Sequence, residues 1–476
     1  MVLHTLGYVL GAEAALLLLP LITCLLYRED ALPFLLTILL LLLISLPLVL
    51  AVRPRSKAMY AREGFLIVSL SWILVSALGA LPFVLDGAIP SYIDALFETV
   101  SGFTTTGASI LRDIEPLPRG ILFWRSFTHW IGGMGVLVFI MAILPLANDR
   151  SMHVMRAEVP GPHVGKLVPR ARDSALLLYA IYLFLTVAEV IFLVAGGMPL
   201  YDSLVNAFGT AGTGGFAVKN ASIGFYDSAY VDGVITVFML LFGINFNLYF
   251  LLLLRDFKQV LKSEELRVYM LTAFGSMLLI TLNILPLTGG AGSAFRQASF
   301  QVSSIMTTTG FATADYTQWP VFSQVILFFL MMLGASGGST GGGIKVSRVI
   351  ILFKTWGREL VRLVHPRAVG AVRLDGKRVD DETCRDVSVF FIAYMGIIAV
   401  MTLLVSLDGF DFTTTLSSVT ACIGNIGPGL GAVGPTGNFA DFSILSKLLL
   451  SLTMLLGRLE IFPLLLTLTP VLYRTK

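Results

Sequence analysis

Phe103-Thr104-Thr105-Thr106-Gly107 is the stretch on which the reading of this chain turns. Three variants follow it: Ala211-Gly212-Thr213-Gly214, Thr307-Thr308-Thr309-Gly310 and Gly424-Asn425-Ile426-Gly427. Their final glycines lie 107, 96 and 117 residues apart. A period near a hundred residues is far longer than a solenoid repeat. It points to four copies of one larger module, each presenting a short Gly/Thr turn to a shared axis. Because the copies differ, one chain with pseudo-fourfold symmetry is expected rather than four identical subunits.

Working outward, a short amphipathic segment precedes each turn, at 94–103, 201–210, 294–306 and 412–423. Long apolar runs flank every segment and turn: 64–85 and 121–145, 175–196 and 231–254, 268–287 and 321–350, 387–407 and 442–471. Runs of that length match the ~20 residues that cross a bilayer core. The segments before the turns are too short to span at ~1.5 Å per residue and read as re-entrant helices. Irregular backbone at membrane depth is tolerated only where protein buries it or water reaches it, so four such turns imply a shared aqueous pathway. Two more apolar runs, near 3–26 and 33–51, precede the modules; the first lacks a basic leader and is expected to stay as a helix. The expected fold is therefore an all-α polytopic membrane protein of ten spanning helices and four re-entrant loops. Its parts are a helix pair (1–57), pore modules at 58–160, 161–262 and 263–365, and a cytosolic hairpin with a fourth module (366–476).

Composition agrees. Hydrophobic residues make up 56% of the 476 and charged residues only 13%, with a mean hydropathy of +0.85. Soluble domains carry about a quarter charged residues, so a soluble enzyme is excluded. Placing the amino terminus inside puts 25 of the 33 Lys/Arg on inner loops, at 52–63, 147–174, 255–267, 345–386 and 474–476. That bias predicts cytoplasmic termini and re-entrant segments that enter from outside. Cys24, Cys384 and Cys422 show no disulfide or metal spacing, and the five histidines form no metal set. Within the inner link 345–386, Asp375-Gly376 between β-prone flanks predicts a type I′ hairpin, either a solvated connector or a docking surface.

A cation leaving water needs oxygens to replace its hydration shell, and inward-pointing backbone carbonyls supply them. Glycine reaches the required backbone angles at least cost, and threonine adds a hydroxyl. A helix ending just before the turn aims its negative end at the cavity. No Asp or Glu lies in any turn, which argues against a carboxylate-built divalent site.

Residues 334–345, Gly-Ala-Ser-Gly-Gly-Ser-Thr-Gly-Gly-Gly-Ile-Lys, break the last apolar run of the third module. Six glycines in twelve residues cannot hold a helix, at ~1 kcal/mol each relative to alanine. A flexible loop below the turns reads as a gate. A nucleotide-binding P-loop would need Gly-Lys adjacent after a soluble strand, whereas Ile344 intervenes. Arg458, deep in the final run, needs water, carbonyls or a carboxylate. It is read either as facing the pore or as satisfying carbonyls of the glycine-rich loop, and Glu460 is badly spaced to pair with it. Glu98 and Gln301, each nine residues before a turn glycine, could satisfy backbone groups behind the turns, unless Glu98 is merely near the surface. Glu189 is a candidate for proton coupling. His129 lies beside Trp130-Ile131-Gly132-Gly133-Met134-Gly135, where close packing at small residues is the simplest account.

With these motifs the chain resembles the TrkH family of bacterial potassium-uptake proteins. The likeness runs through all four modules and includes the first turn, 130–135, the 334–345 loop, Asn425-Ile426-Gly427-Pro428-Gly429 and Gly457-Arg458-Leu459-Glu460. The helix pair before the first module favours TrkH over the related KtrB branch. The resemblance implies a potassium filter lined by Thr104, Thr105, Thr106, Gly107, Ala211, Gly212, Thr213, Gly214, Thr307, Thr308, Thr309, Gly310, Gly424, Asn425, Ile426 and Gly427. In the wider superfamily a glycine in every turn goes with potassium preference, and serine in the first with sodium. It implies a gate at Gly334, Gly337, Gly338, Gly341, Gly342, Gly343 and Lys345, with Arg458 beside it. It further implies no bound cofactor beyond K⁺ as the transported ion, a bacterial inner-membrane location, and a homodimer on TrkA, a cytosolic nucleotide-binding ring. The rival within transport is a proton- or sodium-coupled symporter with alternating access, which inverted repeats would favour; these repeats all run the same way.

Overall fold

The computed structural model describes residues 1–52, 61–135, 171–367 and 370–470. The basic residues at 53–57, most of the 147–174 loop, the end of the first module's second run and residues 474–476 lie outside that set. Among the described residues the chain is helical except for one two-stranded hairpin.

The protein is polytopic, with four helix–re-entrant loop–helix modules around a pseudo-fourfold axis and a helix pair ahead of them. Among the described residues six helices are long and apolar enough to cross a bilayer: Val2–Tyr27, Leu32–Leu50, Arg62–Asp86, Asp173–Ala195, Glu264–Leu287 and Asp381–Asp408. Their outward faces are apolar, with Leu39, Leu43, Phe184, Ile191, Leu271, Leu282, Ile392 and Leu403 exposed. The polar side chains near the turns, among them Ser101, Asn206, Thr210, Ser303, Ser304 and Thr420, are buried instead. That inside-out distribution suits a chain whose solvent is lipid. The amino-terminal pair packs on the first module, Val2–Leu16 against Ala61–Gly79 and Leu18–Tyr27 against Arg119–Gly133.

The second crossing of each module departs from an unbroken span. Ala229–Phe242 and Phe246–Leu253 are bent by 91° at Gly243-Ile244-Asn245. Val321–Leu333 and Val346–Val364 are parted by the glycine-rich loop, as expected. Ile444–Arg458 and Phe462–Leu468 are parted at Glu460 and Ile461, whose φ of +54° and +67° no helix accommodates. In the first module Arg119–Gly133 stops at Met134. One glycine-rich break was expected from the sequence; the others, at Gly132-Gly133-Met134-Gly135, Gly243-Ile244-Asn245 and Gly457-Arg458-Leu459-Glu460, lie in runs read as continuous spans.

Four pore helices, Tyr92–Phe103, Leu200–Gly212, Ala291–Met306 and Phe412–Gly424, aim at the axis. Ser91 caps the first by accepting from the Asp94 N–H, and Asp411 caps the fourth by accepting from the Thr414 N–H at 3.0 Å. The predicted hairpin is present: Arg373 pairs with Arg378 and Leu374 with Lys377, with positive φ at both Asp375 and Gly376. It is tied down, since Asp375 accepts from the Glu264 N–H at 2.6 Å and Lys354 bridges Glu264 and the Arg373 carbonyl.

Candidate ion-conduction site

Each pore helix ends the same way. Thr105, Thr213, Thr308 and Asn425 take the left-handed conformation, with φ between +55° and +61°. Their N–H groups reach back three residues, to Gly102, Thr210, Ile305 and Cys422. The next N–H groups, of Thr106, Gly214, Thr309 and Ile426, reach back five, to Ser101, Gly209, Ser304 and Ala421. This is the Schellman termination, usually built on glycine. Here three of the four left-handed residues are β-branched, a conformation costing roughly 1–3 kcal/mol each, so the surroundings must enforce it.

This pattern moves the second turn one residue along. Gly215, with φ +73°, stands where Gly107, Gly310 and Gly427 stand, and Gly214 takes the place of Thr106, Thr309 and Ile426. Ala211 remains inside its pore helix. Two adjacent glycines gave the sequence no means of choosing between them. Only the sign of φ and the hydrogen bonds do.

With that register the four turns close a ring. A Cβ built on Gly107 would lie 1.9 Å from the Gly214 carbonyl oxygen, and one on Gly215 would lie 2.2 Å from that of Thr309. One on Gly310 would lie 2.1 Å from Ile426 O, and one on Gly427 2.7 Å from Thr106 O. Each glycine thus makes room for the neighbouring turn's carbonyl, in cyclic order one to four and back. Among the described residues no protein donor bonds these four carbonyls. Gly107, Gly215, Gly310 and Gly427 also line one vestibule of about 200 Å³ on the side where the turns open.

The threonine hydroxyls are engaged mainly with protein. Thr104 Oγ1 donates to Val100 O and meets Thr106 Oγ1 at 2.8 Å; Thr307 and Thr309 repeat this with Ser303 O. Thr308 Oγ1 accepts from Gly342 N at 2.7 Å, and Asn425 Nδ2 donates to Thr106 Oγ1 at 3.0 Å. Backbone carbonyls are therefore the oxygens that all four turns have in common.

Behind the turns, Glu98 is buried. It accepts from Ser109 Oγ and Ile110 N at 2.9 Å each and pairs with Arg125 at 2.6 Å. The Gln301 amide oxygen, oriented by its partners, accepts from Thr313 N at 2.9 Å and Ala314 N at 3.2 Å. In the fourth module Ser417 Oγ accepts from Leu430 N at 2.9 Å. The shifted register reveals Asn206 as the second module's counterpart of Glu98 and Gln301, nine residues before Gly215. Sequence spacing could have found Asn206 only with the right anchor glycine.

The glycine-rich loop sits directly under the third and fourth turns. Its Gly341 and Gly342 leave no space for a side chain: a Cβ would lie 2.9 Å from Thr307 O and 2.2 Å from Gly424 O respectively. Gly334 and Gly343 face each other across the loop's neck, and Gly338 packs on Asn245. Glu265 ties the loop by accepting from Gly337 N at 2.6 Å and Ser347 N at 3.2 Å. Lys345 turns back to donate to the Gly341 carbonyl. Arg458 donates to Thr340 O at 2.8 Å, and also to the Gly132 and Gly133 carbonyls of the first module's break. Glu460 pairs not with Arg458 but with Arg348, at the start of the helix leaving the loop. Glu265 and Arg348 carried no sequence signal: Glu265 binds backbone N–H groups 72 and 82 residues on, and Arg348 pairs with a carboxylate 112 residues on.

Beside the first module's break, Gly132 and Gly133 bring the backbone of Arg119–Gly133 against Phe103 O and Gly212. Glu189 is fully buried next to Thr210 of the second pore helix. Among the described residues no cluster of His, Cys, Asp and Glu could hold a metal ion.

Comparison with known proteins is consistent throughout. Residues 33–472 match the family model described as TrkH, cation transport protein. The Trk system potassium uptake protein TrkH of Salmonella typhimurium is 40% identical over 427 residues, 89% of this chain and 88% of that protein. The protein of the same name from Vibrio parahaemolyticus is 37% identical over 100% of this chain and 99% of its own. The crystal structure of the potassium transporter TrkH from Vibrio parahaemolyticus superposes with a TM-score of 0.88 at 35% identity, covering 99% of both chains.

Proposed function

The chain belongs to the TrkH family of cation transport proteins, and on that premise we propose that it takes up K⁺ through the ring formed by its four turns. It is a multi-pass inner-membrane transporter and not an enzyme. The observation that carries the reading is the cyclic order of glycines and carbonyls from Gly107 to Gly427. In this proposal the carbonyls of Thr106, Gly214, Thr309 and Ile426 replace water around the ion, and four pore-helix carboxyl ends lower its energy there. The loop 334–345 is the gate, held shut under the third and fourth turns by Glu265 and Arg458. Both termini are cytoplasmic, on the strength of the lysine and arginine bias.

A homodimer controlled by a cytosolic nucleotide-binding ring completes the proposal. The helix leaving the gate supports it, since it carries exposed Phe353, Trp356, Leu360 and Leu363 beyond the buried part. A second reading, proton-coupled flux, is favoured by the burial of the carboxyl groups of Glu13 and Glu189. Reversal potentials decide between them: passive flux follows the K⁺ gradient alone, and coupling shifts the reversal with pH.

The primary test is ⁸⁶Rb⁺ uptake into proteoliposomes with K⁺ or Na⁺ as competitor, for wild type and Gly107→Ser. A serine Cβ meets Gly214 O, so K⁺ competition should weaken in the variant. Uptake insensitive to K⁺, or unchanged by the substitution, would reopen the symporter reading.

A further inference from the structure

At the third position of their turns, Thr106, Thr309 and Ile426 carry side chains, and the second turn has Gly214 followed by Gly215. Consecutive glycines make this the least restrained backbone of the four. Yet Gly214 supplies a ring carbonyl, the one that faces Gly107. Something outside the turn must hold it.

The space where a side chain would stand is filled. A Cβ built on Gly214 would lie 2.4 Å from Cγ and Nδ1 and 2.6 Å from Cδ2 of His129. That imidazole comes from Arg119–Gly133, is fully buried, and lies 4.1 Å between ring centroids from Phe216, two residues past Gly214. Its Nδ1 is 2.7 Å from the Gly102 carbonyl in the last turn of the first pore helix. A carbonyl only accepts, so Nδ1 carries the proton and the ring is fixed in one tautomer. The His129 carbonyl in turn abuts Gly212, where a Cβ would lie 2.3 Å away. In the fourth module the matching position, three residues before Gly457, is Met454. No histidine lies at 231–254, 321–350 or 442–471 either, so this one is particular to the first module.

We propose that His129 is a positioning residue for selectivity: its ring acts as the second turn's missing side chain, holding the Gly214 carbonyl in the ring and locking the first and second turns together. The inference rests on the filter reading above. It assigns to His129 more than helix packing at small residues.

The test compares ⁸⁶Rb⁺ uptake under Na⁺ competition for wild type, His129→Ala, His129→Asn, Gly214→Thr and the double variant His129→Ala/Gly214→Thr. Emptying the slot in His129→Ala should lower discrimination against Na⁺ by about tenfold, within the range for coupled neighbours. His129→Asn retains a donor for Gly102 O but fills less of the slot, so it should fall between, and it carries the test if the alanine variant does not fold. Gly214→Thr alone collides with the ring and should lose discrimination. Removing the ring as well gives the turn the threonine of its neighbours and should restore it. A merely structural histidine gives no such rescue. Discrimination within about twofold of wild type in both His129 variants, or a double variant no better than Gly214→Thr, would overturn the inference. Gly107→Ser separates the premises: if it too leaves competition unchanged, the filter reading fails, and if it alone shifts competition, only the role of His129 does.

Discussion

Arg458→Ala should open the pathway. If the 334–345 loop is the gate proposed above, this follows from three carbonyls to which the guanidinium donates, and they are not equivalent. Gly132 and Gly133 belong to the first module, so those two bonds do not involve the loop. Only the bond to Thr340 O is specific to the loop lying under the turns. A hydrogen bond to a charged group contributes about 1.5–3 kcal/mol, and each 1.4 kcal/mol is a factor of ten, so the open-to-closed ratio should rise roughly 10- to 100-fold. Initial ⁸⁶Rb⁺ uptake into proteoliposomes measures the rise, and single-channel recordings in planar bilayers assign it to open fraction rather than conductance. Arg458→Lys keeps a charge but loses the planar fork, and should fall between alanine and wild type. A folded alanine variant whose uptake equals or falls below that of wild type would refute the reasoning, because the Thr340 bond would then not be what closes the loop.

Gly310→Ala, with φ +87° and a Cβ 2.1 Å from Ile426 O, should cut K⁺ uptake by about fivefold or more through roughly 1–3 kcal/mol of backbone strain; Gly357→Ala, with open space around its Cβ, should leave uptake unchanged. Glu98→Gln leaves the buried Arg125 without its countercharge and should cost about 3 kcal/mol or more in detergent unfolding, part of it recovered in Glu98→Gln/Arg125→Met. The bond from Thr414 holds the Asp411 carboxyl below the usual aspartate range, so its contribution to stability is present above that range and is lost as pH falls through the lowered value. Asp411→Asn should keep the cap and lose that acid dependence of the melting temperature, and Asp411→Ala should lower the melting temperature near neutrality as well.

Four modules, their re-entrant helices and the glycine-rich break at 334–345 were legible in the sequence. Hydrophobic run length and glycine content act locally, residue by residue, and survive in a one-dimensional reading. Glu98 and Gln301 could be matched because each stands nine residues before an unambiguous glycine. The second turn could not be placed, because Gly214 and Gly215 are chemically identical and differ only in backbone angle and in which carbonyl faces them. The breaks at Gly243–Asn245 and Glu460–Ile461 were hidden for a related reason. Their freed backbone groups are stabilised by partners far along the chain, as where Gly243 O accepts from Ser336 N. The pairing of Glu460 with Arg348, the third anchor of Arg458 and the seating of His129 against Gly214 are likewise contacts between modules. Periodicity tells which residues share an element; only the closed ring decides which elements face each other, since that depends on backbone atoms a hundred residues apart meeting within a single side chain's width.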